Sequence, residues 1–441
     1  MNVNEQQLIE YVTEQRWYGS KSRTVAHSQV LDLVTLRAVD PEYVLALVEI
    51  RFDTGAHEIY QLLIACTDGD VQLDGLEDAA LARELVHGIR ASLTLQGNEG
   101  VVELRPVTGF AGLGREMLTA RAVGAEQSNT SIVFDDDLIL KVFRRLEPGI
   151  NPELEMLRFL TEHGFENIAA LGGWYAYSGG PTAATLGILQ EFVRSGRDGW
   201  ELGLEECESD PDRFLSRLRR LGEVTGEMHT ILASDTGDTA FCPETPSVEA
   251  LPLLTATVDE EIARVFLELP EDNELVAPIY GRGEEVREQL RMLAHAGSVG
   301  KIIRTHGDYH LGQTMWSTDS NDWVILDFEG EPARSLTERR RKRSPLRDVA
   351  GMLRSFAYLA ISAGASEEFE EQARATFLEG YFETVDDSLL PAGQQAIDRL
   401  LSVYELEKAV YELRYELDNR PGWVSIPVAG IQRLMEQVTT G

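Results

Sequence analysis

The spacing of apolar positions changes character twice along the chain. Over residues 1–90 helical and strand periods alternate. In "NEQQLIEYVTEQRWY" Leu8, Tyr11 and Val12 recur at helical spacing. "SQVLDLVTLRAV", "YVLALVEIRF" and "EIYQLLIACT" read as strands separated by turn signals, and "DAALARELVHGIRASL" as an amphipathic helix. Residues 91–200 are strand-rich. "VVELRPVTG" precedes "SNTSIVFDDDLILKVFRRL", whose alternation and acidic turn at 135–137 predict a hairpin with Lys141 in its second arm. "NPELEMLRFLTEHGF" predicts a helix capped by Asn151, with Pro152 in its first turn and Gly164 at its end. "TLGILQEFV" reads as one more apolar strand.

Beyond residue 200 the period becomes helical. "DRFLSRLRRLGEVTGEMHTILAS" has apolar residues at 214, 215, 218, 221 and 224, a long amphipathic helix. "DEEIARVFLEL", "GEEVREQLRMLAHAG", "LRDVAGMLRSFAYLAISAG", "SEEFEEQARATFLEGYFETV" and "AIDRLLSVYELEKAVYELRYEL" add further helices. Strands are predicted in "KIIRTHGD", "GQTMWS" and "DWVILDFEG", and a loop over 234–248. Strands and helices in separate blocks predict an α+β chain. Its expected parts are a small α+β unit over 1–90, a β-rich unit over 91–200 and a mainly helical unit over 201–441.

Composition narrows the classes. The chain has 441 residues, 43% hydrophobic and 26% charged, enough for two or three packed units. A formal charge of −34 argues against nucleic acid or an anionic membrane as partner, because phosphate surfaces need neutralising cations. Cys66, Cys207 and Cys242 lie far apart with no CxxC spacing, which argues against a disulfide framework or a zinc site. No basic leader and no run of about 18 apolar residues is present. A cytoplasmic protein is expected.

The chemistry gathers in "HGDYHLGQ" (306–313) and "DFEGEP" (327–332). There is no GxxxxGK[ST] and no GxGxxG after a strand, which argues against a Walker or Rossmann nucleotide site. Asp308 and Gln313 have the offset of the aspartate and asparagine in a kinase catalytic loop, and Asp327 follows an apolar strand and precedes Phe328. Phosphoryl transfer needs a carboxylate to take the proton of the attacking hydroxyl, and oxygen ligands to hold Mg²⁺ on the nucleotide. Asp308 is the candidate base, and Gln313 and Asp327 the metal ligands. His306 is read as fixing the loop through hydrogen bonds, and His310 as structural or near substrate. HGD alone is frequently a turn; the ordering strand, HGDxHxxQ, short hairpin, strand, DFE carries the assignment.

Such a centre also needs a strand lysine paired with a helical glutamate. Lys141 stands among apolar residues, which calls for an anionic partner. Glu153 shares a face with Leu157 and Leu160, and Glu155 lies towards the flank; either also suits the helix N-terminus electrostatically. "GAEQSNTSIVF" offers Ser128, Asn129, Thr130 and Ser131 as a phosphate loop or a plain polar turn. Gln190, Glu191 and Val193 of "LQEFV" are the candidates for an adenine hinge. "ERRRKR" (338–343) reads as a solvated loop or a local attractor for ATP. Arg347 and Asp348 are expected to brace the DFE segment.

These motifs, with "QRWYGSKSR" (15–23), "NPELEMLRFL" (151–160), "SPLRDVAGMLRSF" (344–356) and "YELRYELDNRPGW" (411–423), run the length of the chain. Together they resemble the bacterial maltokinases, relatives of aminoglycoside phosphotransferases and choline kinases. The resemblance implies a bilobal, protein-kinase-like α+β fold with an extra N-terminal cap. It implies ATP- and Mg²⁺-dependent phosphorylation of maltose at its anomeric hydroxyl, giving maltose 1-phosphate. It also implies a trehalose synthase as supplier of maltose and a maltosyltransferase as consumer of the product. The family's NP[DE]xE pattern favours Glu155 over Glu153 as partner of Lys141. Related kinases acting on glucosamine read DFDG where this chain reads DFEG, so Glu329 implies maltose. Sugar binding asks for carboxylates and an aromatic platform. Tyr404, Lys408, Tyr411, Glu412 and Tyr415 share one helix face, as a core stripe also would. Glu412, Tyr415, Arg420 and Trp423 are the expected substrate contacts.

Overall fold

Alternate residues of the strand Glu42–Phe52 explain the N-terminal sheet. Ala46, Val48, Ile50 and Phe52 point to one face, where Leu8 and Val12 of the helix Glu5–Glu14 cover them together with Trp17 and Tyr18. In the computed structural model, which describes residues 5–437 apart from 69, 78, 115–117, 124–128, 181, 236 and 295–298, the chain divides into two units, Met1–Arg194 and Ser195–Gly441.

The first unit holds two antiparallel sheets. One runs Val25–Arg37, Glu42–Phe52, His57–Thr67 and the short Arg145–Leu146. The other has seven strands in the order Thr94–Gln96, Gly100–Pro106, Leu171–Gly179, Thr182–Glu191, Leu138–Phe143, Asn129–Phe134, Ala120–Ala122. The hairpin at 129–143 closes through the three residues 135–137 between the paired Phe134 and Leu138; Asp135 and Asp136 are both at positive φ (50° and 55°), and the Asp137 N–H donates to the Phe134 carbonyl at 2.8 Å. The helix Pro152–Glu162 starts where Asn151 Oδ1 accepts from the Glu153 N–H at 2.7 Å.

The second unit packs helices around a three-stranded sheet of Gly196–Asp198, Thr314–Ser317 and Asp322–Ile325. Helices Pro211–Leu232 and Glu367–Thr384 touch at backbone distance: a Cβ on Gly222 would lie 2.0 Å from the Phe377 carbonyl, and one on Gly380 2.1 Å from that of Arg219. No described helix is long and apolar enough to cross a membrane.

Three local expectations change. "KIIRTHGD" forms no strand; Ile302 and Ile303 make single bridges to Glu244 and Arg343, and the backbone beyond is bound by a side chain. The helix expected from Asp259 begins at Ala250, because "ALPLLTATV" has no polar stripe and carries Pro252 in its first turn, where proline is tolerated. Helices Gly199–Ser209 and Ser425–Gln437 were not expected from the spacing; Asp198 caps the first by accepting from the N–H groups of Trp200 and Glu201.

Candidate active site

In the first unit, Ser131 stands opposite Lys141 in the hairpin register. Lys141 Nζ lies 2.8 Å from Glu153 Oε2, and the glutamate is buried. The preference for Glu155 is therefore corrected: the helix-face argument names the partner, since residues two apart point to different sides of a helix. Glu155 is buried as well. Thr130 accepts a hydrogen bond from Arg144 Nε at 2.8 Å; Ser128 lies outside the described residues. Gln190 and Glu191 close the strand Thr182–Glu191, two residues before Val193. The N–H groups of Glu191 and Phe192 donate to the carbonyls of Ala170 and Asp137, which anchors this segment on both sides.

In the second unit a buried aspartate holds the HGD loop. Asp348 accepts from the His306 N–H at 2.7 Å and the Gly307 N–H at 3.0 Å, with His229 Nε2 at 3.2 Å. Burial would raise its pKa, but His229 and the loop donors hold it below the usual value. Gly307, at φ 89°, supplies the left-handed turn. His306 Nε2 donates to the Leu326 carbonyl at 2.8 Å, and its ring packs between Tyr309 and Phe328 at 5.2 and 4.9 Å. With both its roles turned to the protein, His306 ties the two motifs together. Arg347 bonds Glu331 of DFEGEP at 3.0 Å.

Gln313 Nε2 donates to Asp327 Oδ2 at 2.9 Å, and Asp327 and Glu329 each place a carboxylate oxygen within 4.8 Å of the other. Two carboxylates and an amide are a donor set that suits a hard divalent cation such as Mg²⁺.

A cavity of about 730 Å³ opens beside Asp308. Of the expected substrate residues, His310, Glu412, Tyr415, Arg420 and Trp423 line it. Glu329 does not: backbone turns at Asp327 (φ 58°) and Gly330 (φ 76°) enclose it, and it sits beside Asp327. Burial pushes the His310 pKa down against the pull of Asp308, which keeps its ring neutral. The sequence reading missed Trp200, Glu331, Arg354 and Tyr358 in the lining, and left Lys408, Tyr411 and Glu416 unassigned. Glu331 and Arg354 stood inside quoted motifs, and Lys408 and Tyr411 on the noted helix face. Trp200 had no such signal, because its helix was not expected. Trp423 lies 5.7 Å from Tyr358 and 6.5 Å from Trp200, ring centre to ring centre.

Each glutamate in this lining faces a cation. Arg354 bonds Glu412 at 2.7 Å, Arg420 bonds Glu416 at 2.7 Å, and Glu331 faces Arg347 at 3.0 Å and Lys408 at 3.3 Å. Burial would raise the Glu331 carboxyl, but Lys408, Arg347 and Arg334 hold it at about 2. An unfolded glutamate titrates near ~4.3. The depressed folded value means that the charge stabilises the fold above that pH, and that this stability fades as pH falls towards 2. Glu331→Gln is expected to lose about 2 kcal/mol at pH 7, with the gap to wild type closing below about pH 4.3. Denaturant melts at several pH values measure it; a gap that stays constant down to pH 3 contradicts the assignment.

Comparison with known proteins places these features in context. A model of the phosphotransferase enzyme family matches residues 119–387, and one of the maltokinase N-terminal cap domain matches residues 11–95. A glucosamine kinase of Mycolicibacterium smegmatis is 24% identical over 345 residues, 73% of this chain and 80% of its own. Another from Streptacidiphilus jiangxiensis is 24% identical over 336 residues, 72% and 74%. A glucosamine kinase solved in complex with glucosamine, ADP and inorganic phosphate matches with a TM-score of 0.73 at 18% identity, over 98% of this chain and all of that one. The fold is thus α+β and kinase-like, with an added N-terminal cap.

Proposed function

This chain belongs to the phosphotransferase enzyme family, enzymes that phosphorylate a hydroxyl acceptor, and from that premise we propose that it is an ATP-dependent maltokinase. Within that family it is a sugar kinase. The observation that carries maltose is the charge balance of the cavity. Its glutamates are already matched by Arg354, Arg420, Arg347 and Lys408, so a neutral sugar suits it better than a cationic one. The space of about 730 Å³ and the rings of Trp200, Tyr358 and Trp423 offer a platform for two hexoses. The matched maltokinase cap domain supports the same reading.

In this reading the anomeric oxygen of maltose forms a bond to the γ-phosphorus while the bond to the ADP oxygen breaks. The hydroxyl proton passes to the Asp308 carboxylate. Lys141, held by Glu153, meets the phosphates of ATP; Asn129 and Ser131 contribute amide, hydroxyl and backbone donors. Gln190, Glu191 and Val193 receive the adenine. Gln313 and Asp327 would hold Mg²⁺, with Glu329 beside them. When bound, the cation offsets the charge of the phosphates. Glu412, Tyr415, Arg420, Trp423 and His310 position the sugar. Glu416 Oε2, buried and without a hydrogen-bond partner among the described residues, is an acceptor that a sugar hydroxyl would satisfy. A cytoplasmic setting, and a trehalose synthase supplying maltose, belong to the same proposal.

A second reading, an amino-sugar kinase, is favoured by the names of the relatives. Coupled ADP release across maltose, glucose, glucosamine and an aminoglycoside separates the two. Maltose is expected to lead by about tenfold or more in kcat/KM. If glucosamine leads and maltose gives only background, the acceptor is wrong and the kinase reading survives.

A further inference from the structure

The motif "QRWYGSKSR" and the N-terminal sheet take no part in the chemistry above. We propose that they act, through Arg144, as a latch that fixes the hairpin bearing Lys141 and Thr130, and so set the affinity for nucleotide. The proposal rests on the kinase reading only in assigning that hairpin to ATP.

One stretch of backbone belongs to both sheets. Leu138–Phe143 pairs in the seven-stranded sheet, and Arg145–Leu146 pairs with Tyr60 and Ile59 of the N-terminal sheet. Arg144 is the residue at the change. Its carbonyl accepts from the Gln61 N–H at 2.9 Å, and the Gln61 side chain donates to the Phe143 carbonyl at 2.5 Å.

The Arg144 side chain is only 1% exposed. A guanidinium buried to this degree is costly unless its charge and donors are met. Asp74 meets the charge at 2.6 Å from Nη2, and the Trp17 ring lies 5.3 Å from its centre. Both partners come from the N-terminal segment. The third contact, Nε to Thr130 Oγ1 at 2.8 Å, reaches into the hairpin. The anchors are themselves fixed: Trp17 and Tyr18 pack on Tyr60 at 5.7 and 5.6 Å, and Ser20 and Tyr60 both donate to Glu58.

The face on which the last bond lies matters. Ser131 is paired with Lys141 and Thr130 with Val142, so Thr130 and Arg144 share the face opposite Lys141. Arg144 thereby pins the hairpin from behind the face that carries Lys141. Release of Asp74 would leave Arg144 with a buried, unmatched charge and loosen its hold on Thr130. Asp74, Trp17, Arg144 and Thr130 are positioning residues, since the nucleotide is met through Lys141.

The test uses the full chain. In Asp74→Asn, amide hydrogen exchange across 129–134 is expected to rise without nucleotide present. The calorimetric Kd for ADP is expected to rise about tenfold, while KM for the sugar moves less than about twofold. Thr130→Val should reproduce the ADP effect and Thr130→Ser should not. Unchanged exchange in 129–134 overturns the latch, as does a parallel loss of ADP affinity, sugar affinity and Tm, which is what general destabilisation gives. Failure of the wild-type chain to bind ADP would instead sink the kinase reading, while the exchange result still decides the latch.

Discussion

Asp308→Ala is expected to lower kcat about 10³- to 10⁴-fold and leave ADP binding within about threefold of wild type, because it removes a proton acceptor and no anchor of the fold. Asp308 lines the cavity. The loop that carries it is held elsewhere, through the N–H groups of His306 and Gly307 on Asp348 and the His306 ring on the Leu326 carbonyl. The variant should therefore keep its wild-type Tm. Asp308→Asn, nearly isosteric, should lose as much in kcat, since an amide cannot take the proton. Single-turnover transfer at saturating ATP, beside calorimetric ADP binding, checks both. Turnover within tenfold of wild type in either variant removes Asp308 from the role of base.

Legibility from sequence followed the range of the interaction. The strands Val25–Arg37, Glu42–Phe52, His57–Thr67, Gly100–Pro106, Asn129–Phe134, Leu138–Phe143 and Thr182–Glu191 and the capped helix at 152–162 depend on local spacing, turn aspartates and one asparagine, and were readable; Leu171–Gly179, with two glycines near its start, was not expected. Asp308, Gln313 and Asp327 could be grouped because their order in the chain reflects one loop and one hairpin. The pairing of Lys141 was decided by which helix face meets the strand, a tertiary fact, and the pattern-based preference for Glu155 gave way to Glu153. The "KIIRTHGD" segment failed as a strand because a side chain, Asp348, takes the amides that a neighbouring strand would have used. Its apolar run marks burial, and burial alone does not distinguish a strand from a clamped loop. Glu329 lies outside the cavity lining for a related reason: two backbone turns at positive φ flank this short acidic segment, and no periodicity encodes them.

Gly351→Ala is expected to cut kcat about 100-fold with little loss of Tm, although residue 351 takes no part in the chemistry. The helix Leu346–Ala363 meets the catalytic loop twice, one turn apart. Asp348 grips the loop amides, and Gly351 lets the Tyr309 carbonyl come close: a Cβ there would lie 2.6 Å from that oxygen. Backbone cannot swing aside as a side-chain tip can. Tyr309 is buried against Thr225, so the loop must shift as a piece and carry Asp308 with it. A displacement near ~1 Å is enough for losses of this size. Stability should respond less, because alanine is favoured over glycine inside a helix by about 1 kcal/mol, which offsets part of the clash. ADP affinity should hold, since the shift falls on the acceptor side. Gly114→Ala, whose added Cβ meets nothing within 4 Å, is the control and should match wild type. If kcat of Gly351→Ala stays within threefold of the control, the close approach at Tyr309 does not set the position of Asp308.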